Sequence, residues 1–125
     1  MEESTKGYKE LIAWQKAMDL APEAYRLVRK LPREELYELG SQIRRAAVSI
    51  PANIAEGQAR HHRKEFVQGL YIARGSLAEL DTLLLAAERL GYLQEEEFRP
   101  LNPMMIEVRK LLQGLIQSLQ NRTAS

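Results

Sequence analysis

Cysteine is absent from the 125 residues, which excludes disulfides, thiolate metal sites and cysteine nucleophiles and fits a reducing compartment. Aromatic side chains are scarce, 6% of the chain with one Trp and two Phe. None interleaves with the basic run Arg60–Lys64, so stacking of single-stranded bases on that run is not expected. An excess of one charge is missing too, because 18 Lys and Arg stand against 17 Asp and Glu for a net +1. That is not the global basicity of a protein that coats nucleic acid, so any polyanion site must come from local segregation of charge. The longest apolar run, Leu83 to Ala87, falls far short of the roughly 20 residues that span a bilayer. The opening MEESTKGYKE lacks a basic segment followed by an apolar one. Cytoplasmic location without membrane contact is the expectation.

Catalytic signatures are missing as well. No phosphate-binding Gly-x-x-x-x-Gly-Lys, no Gly-x-Ser-x-Gly elbow and no Glu-x-x-His pair of the di-iron bundles occurs. The two histidines, His61 and His62, are adjacent and have no third to complete a metal site. No catalytic residue, cofactor or metal ligand is therefore assigned, and a non-enzymatic role is expected.

What remains is a chain of one-domain length whose 45% hydrophobic and 28% charged residues are ordinary for a globule. Its apolar residues recur at alternating three- and four-residue steps, the period of a helix burying one stripe. Leu11, Trp14, Met18, Ala21, Tyr25 and Val28 form the first stripe, with Trp14 and Tyr25 as core aromatics and Pro22 as a kink. Ile43, Ala47, Ile50, Ile54 and Gly57 form the second, with Ser41 as the expected cap and Pro51 as a kink. Phe66, Leu70, Ala73, Leu77, Leu80, Leu84 and Ala87 form the third, stopped at Gly91. Leu101, Met105, Val108, Leu112, Leu115 and Leu119 form the fourth. The pattern predicts helices over about 8–30, 35–58, 63–90 and 101–120, with 1–6 and 121–125 frayed. No strand signal competes. Short connections make these an all-α, antiparallel up-down-up-down four-helix bundle in a single domain, 1–125.

The second helix also carries a polar line, Gln42, Arg45, Ser49, Asn53 and Glu56, beside its apolar stripe. If helices two and three form a hairpin, facing positions sum to about 124. This register sets Arg45 opposite Glu79, and Ser49 opposite Ser76 or Gly75. An interhelical ion pair and hydroxyl hydrogen bonds are the expected result, because a half-buried charge needs a partner. Alanines and glycines crowd the same two helices. They serve either tight hairpin packing or a face on which another subunit docks.

The segment Gln42–Gly57, QIRRAAVSIPANIAEG, resembles the signature of the bacterial four-helix bundle family encoded in intervening sequences of 23S ribosomal RNA genes. LIAWQKAMDLAPEAY, KEFVQGLYIARGSLAELDTLLLAAERLGYL and GLIQSL extend the likeness over almost the whole chain. The same superfamily includes the accessory variability protein of diversity-generating retroelements. Membership implies a ring-shaped homopentamer and, in the retroelement branch, binding of a reverse transcriptase and of nucleic acid.

Chain direction in such a bundle collects Lys6, Lys9, Arg60, His61, His62, Arg63, Lys64 and Arg122 at one end, as a candidate site for RNA or DNA backbone. Five copies would multiply this cluster into a basic face. The plainer reading of Arg60–Lys64 is a solvated loop. Two functions follow. One is an oligomeric adaptor that binds nucleic acid, with a reverse transcriptase as candidate partner; the other is an oligomeric scaffold that binds only protein.

Overall fold

The computed structural model describes the backbone of residues 7–124 and the side chains of residues 7–121. Four long helices dominate: α1 (Ile12–Val28), α2 (Leu39–Ala59), α3 (Arg63–Arg89) and α4 (Leu101–Ala124). Each packs against two others in the cyclic order α1, α2, α3, α4. Neighbours run antiparallel: Ser49 meets Ser76 across α2–α3, and Lys16 approaches Glu107 across α1–α4 at 3.9 Å.

Three of the four stripes point inward. Ile43, Ala47, Ile50, Ile54 and Gly57 of α2 are buried, as are Leu70, Ala73, Leu77, Leu80, Leu84 and Ala87 of α3. Phe66 packs half-buried against them. Along α4 the buried positions are Leu101, Met105, Val108, Leu112, Ile116 and Leu119. Ile116 thus replaces Leu115, which lies half-buried at the side. Burying a side chain of this size stabilises the fold by about 1.5–3 kcal/mol.

Helix α1 departs from the expected stripe. The buried line is Ala13, Ala17, Leu20, Ala24, Leu27 and Val28, while Met18 and Tyr25 are 44% and 42% exposed. Both lines have helical period and lie one residue apart. The alanine line wins because it lies in the core, where α1 and α2 approach closely enough that a Cβ added to Gly40 of α2 would stand 2.9 Å from Val28 Cγ1, and small residues let the backbones approach where Trp, Met and Tyr would hold them apart. Trp14 is half-buried at the edge of the core, and Tyr25 lies on the surface with the Arg44 guanidinium 6.0 Å from its ring centroid.

Boundaries also differ from the pattern. Residues 8–10 form a separate 3₁₀ turn and Leu11 is extended. The turn folds the Tyr8 ring back to 5.4 Å from Trp14. A second 3₁₀ turn, Arg33–Glu35, precedes α2, which starts at Leu39, so Ser41 is inside the helix and does not cap it. Instead Ser41 accepts a hydrogen bond from Arg44 at 3.2 Å. Both α1 and α2 continue through Pro22 and Pro51. A one-turn helix, Glu95–Phe98, absent from the predicted elements, forms on a reciprocal capping box between Gln94 and Glu97 and buries Phe98. The last helix runs through Ala124, beyond the expected fraying at Asn121. The predicted fraying of 1–6 and of Ser125 falls outside the described residues.

Helix α3 stops where Gly91 turns left-handed at φ 81°. The amide of Gly91 then bonds the Glu88 carbonyl and that of Tyr92 bonds the Ala87 carbonyl, both at 2.9 Å, a Schellman closure. The following loop reaches back to the first connection, where the Tyr92 phenol donates to Glu35 at 3.2 Å. This hydrogen bond and the Glu35 charge hold the Tyr92 pKa above its ordinary 10.0. A raised folded-state pKa contributes stability that is present below about pH 10 and lost as pH rises through the higher folded value. Ultraviolet titration of the tyrosines is expected to show one group ionising late. That group should return to the ordinary range in Glu35→Gln, and an unchanged profile would dissociate Tyr92 from Glu35.

Candidate nucleic-acid interface

The turn between α2 and α3 follows a very close approach of the two helices. A Cβ added to Gly69 would stand 2.6 Å from the Asn53 carbonyl oxygen and 3.0 Å from the Gly57 Cα. Two glycines at the crossing bring the backbones together, and α2 reverses into α3 through Arg60, His61 and His62 alone. The reversal forces His61 left-handed at φ 61°, a conformation that costs a non-glycine residue about 1–2 kcal/mol. His62 is extended and precedes the first turn of α3 without a side-chain cap.

Arg60, His61, His62, Arg63 and Lys64 are all exposed. They stand at the N-terminus of a 27-residue helix, whose dipole adds positive potential. Arg60 donates to Glu56 at 3.0 Å, which partly neutralises the cluster, and Glu65 stands in the first turn of α3. Lys9 is exposed on the 3₁₀ turn, with its carbonyl accepting from Gln15 at 2.8 Å. Gly7 lies beside Gln58, so the N-terminal turn meets the end of α2. From the other side Gln120 of α4 lines one surface cavity of about 610 Å³ with Arg63, Lys64 and Val67. The structure therefore brings Lys9 and residues 60–64 to one end. Lys6 and the side chain of Arg122 lie outside the described residues.

The polar line of α2 resolves into three parts. Ser49 and Ser76 are hydrogen-bonded at 2.8 Å, and Asn53 donates to the Ser49 carbonyl and hydroxyl at 2.8 and 2.9 Å. Ser76 is 9% exposed, so the bond satisfies a hydroxyl inside the helix interface. Glu56 turns away to Arg60. Arg45 and Glu79 are both exposed, and they form no ion pair with each other within 4.0 Å. The expected interhelical pair is corrected in this respect: their long side chains extend into water, so neither charge needs a partner.

Sequence reasoning missed the groove between α3 and α4. Tyr71, 40% exposed, accepts from Gln120 at 3.0 Å. The Arg74 guanidinium lies over its ring at 4.8 Å from the centroid. Arg74 and Arg109 then line a cleft of about 480 Å³. The signal was present as the spacing Lys64, Val67, Tyr71, Arg74, a second helical stripe beside the buried one. Among the described residues no three His, Asp or Glu side chains are placed to hold a metal ion, and no helix is long and apolar enough to cross a membrane.

Residues 9–114 match the family described as 23S rRNA-intervening sequence protein. Among solved structures, a protein of unknown function from the S23 ribosomal protein family of Bacteroides thetaiotaomicron superposes with a TM-score of 0.77 at 28% identity. The match covers 85% of this chain and 96% of that one. No curated protein matches.

Proposed function

The chain belongs to the 23S rRNA-intervening sequence protein family, and we propose that it is a non-enzymatic, self-associating helical adaptor whose basic end engages the backbone of RNA or DNA. The observation that carries this reading is the exposed turn Arg60–Lys64 at the N-terminus of α3. Cations on a rigid helix–helix turn, with backbone N–H groups behind them, suit phosphate. Backbone contacts carry little sequence preference and weaken steeply with salt. Assembly into a homopentameric ring would set five such turns on one face, which compensates for a net charge of only +1. In a retroelement setting the adaptor would serve a reverse transcriptase, and the absence of cysteine fits a cytoplasmic site of action.

A second reading, an oligomeric scaffold that binds protein alone, is favoured by an exposed apolar strip along the α1–α2 groove. Met18, Tyr25 and Val48 lie there at 44%, 42% and 44% exposure, beside Ala21 and Pro22. Fluorescence polarisation of short labelled RNA and DNA, titrated in salt with light-scattering mass on the same samples, separates the two. The adaptor reading expects salt-sensitive binding by a species of about five protomer masses. No binding at low salt would leave the scaffold, and a monomeric mass would remove the ring.

A further inference from the structure

The basic end does not stop at the turn. Lys64 and Gln120 line one cavity, and Gln120 donates to Tyr71 at 3.0 Å. Arg74 stacks on the Tyr71 ring, and Arg74 shares the next cleft with Arg109. These neighbours form an unbroken path along the α3–α4 groove. From Lys64 to Arg74 it extends about 15 Å at 1.5 Å per helical residue, the length of about four phosphates of a stacked strand at 3.4 Å each.

Three features suit one occupant. Among the described residues no carboxylate lies within 4.0 Å of the Arg74 or Arg109 guanidinium, so both face the cleft without a close counter-charge from the chain. Leu77, Met105 and Ile106 give that cleft an apolar floor, which accepts a base or sugar but not a hydrated ion. The Tyr71–Arg74 pair supplies the aromatic element that the run Arg60–Lys64 lacks, and a flat base stacks on such a pair. Asp81 lines the same cleft, so its two arginines are offset by one carboxylate and the lining stays net positive.

We propose that the α3–α4 groove is a track for single-stranded nucleic acid, entered from the basic turn, in which Arg74 and Arg109 hold phosphates and the Tyr71–Arg74 pair stacks a base. This rests on the nucleic-acid reading above and deepens it, because it selects single strands over duplex. A duplex presents its phosphates to the turn but keeps its bases stacked away from Tyr71.

The test is fluorescence polarisation with a labelled polyuridine of about twelve nucleotides and a duplex DNA of the same length, each across a salt series. In Arg74→Ala/Arg109→Ala the slope of log affinity against log salt for polyuridine is expected to fall by about 1.4, at about 0.7 for each single-strand phosphate no longer neutralised. Tyr71→Ala is expected to weaken polyuridine binding about tenfold or more and to leave duplex binding unchanged. Tyr71→Phe should retain the wild-type affinity, since it keeps the ring and removes only the hydroxyl bonded to Gln120. Circular dichroism of each variant checks the fold. Wild-type affinity in all three variants, with binding still abolished by charge reversal at the turn, would overturn the track and leave the proposed function standing. Binding of the duplex but not of polyuridine by the unmodified protein at low salt would likewise overturn the track alone, and binding of neither would overturn both.

Discussion

Gly69→Ala is expected to destabilise the protein by about 1–2 kcal/mol, whereas Gly75→Ala six residues along the same helix should stabilise it by up to about 1 kcal/mol. The two substitutions make the same change to helix propensity, because alanine is favoured over glycine by about 1 kcal/mol in a helix interior. They differ in what the new methyl group meets. At Gly75 nothing lies within 4 Å, so the propensity gain is realised in full. At Gly69 the methyl group would enter the space of the Asn53 carbonyl, at 2.6 Å, and approach the Gly57 Cα. Both are backbone atoms, which cannot rotate aside, so α2 and α3 must separate. Overpacking of this kind costs about 1–3 kcal/mol, which exceeds the propensity term. Separation would also stretch the Ser49–Ser76 hydrogen bond two turns away. A still larger side chain, Gly69→Val, should cost about 3 kcal/mol or more. Thermal or urea unfolding of the three variants decides the matter, and a stabilised Gly69→Ala would mean that the two helices can part at this crossing without cost.

Reversing Arg60, Arg63 and Lys64 together to glutamate is expected to lower RNA affinity about a hundredfold or more at low salt and to flatten its salt dependence by about 2–3 in slope. The fold should survive, since all three side chains are exposed. Removing the Arg60–Glu56 pair, exposed on one helix face, costs only about 0.3–0.5 kcal/mol. Acidic residues in the first turn of α3 interact favourably with its dipole, so the helix itself is not weakened. Helical content by circular dichroism should be unchanged while retention of RNA disappears. Full retention by the triple variant would remove this turn as the contact surface.

Much of the architecture was legible in the chain. Ile43, Ile50 and Ile54 of α2, and Leu70, Leu80 and Leu84 of α3, repeat at helical spacing with no competing apolar line of equal size, and all are fully buried. Antiparallel register placed Ser49 opposite Ser76 or Gly75, because two helices joined by a three-residue turn have little freedom to slide, and the structure selects Ser76. The same register placed Arg45 near Glu79 but could not say that they would remain apart. A register sets where backbones stand, and long charged side chains then choose between a partner and water on terms that favour water at the surface. The groove site was less legible, since Tyr71 and Arg74 come from α3 while Gln120 and Arg109 come from α4. Their proximity depends on how two helices far apart in sequence are rotated about their axes.

Helix α1 marks the boundary between the two kinds of information. Its composition and period determined by themselves that residues 12–28 would be helical with one face buried, because 3.6-residue periodicity is a property of the local chain. Two lines satisfied that period, one of Trp, Met and Tyr and one dominated by alanine, and hydrophobicity favoured the first. Only tertiary packing decided for the second. The neighbouring helix comes so near that a Cβ at its Gly40 would stand 2.9 Å from Val28 Cγ1, and close packing favours the small Ala13, Ala17 and Ala24 on the buried face. Met18 and Tyr25 are left on the surface as a consequence. Helix formation was thus settled within the segment, while the choice of buried face was settled by the shape of its neighbours.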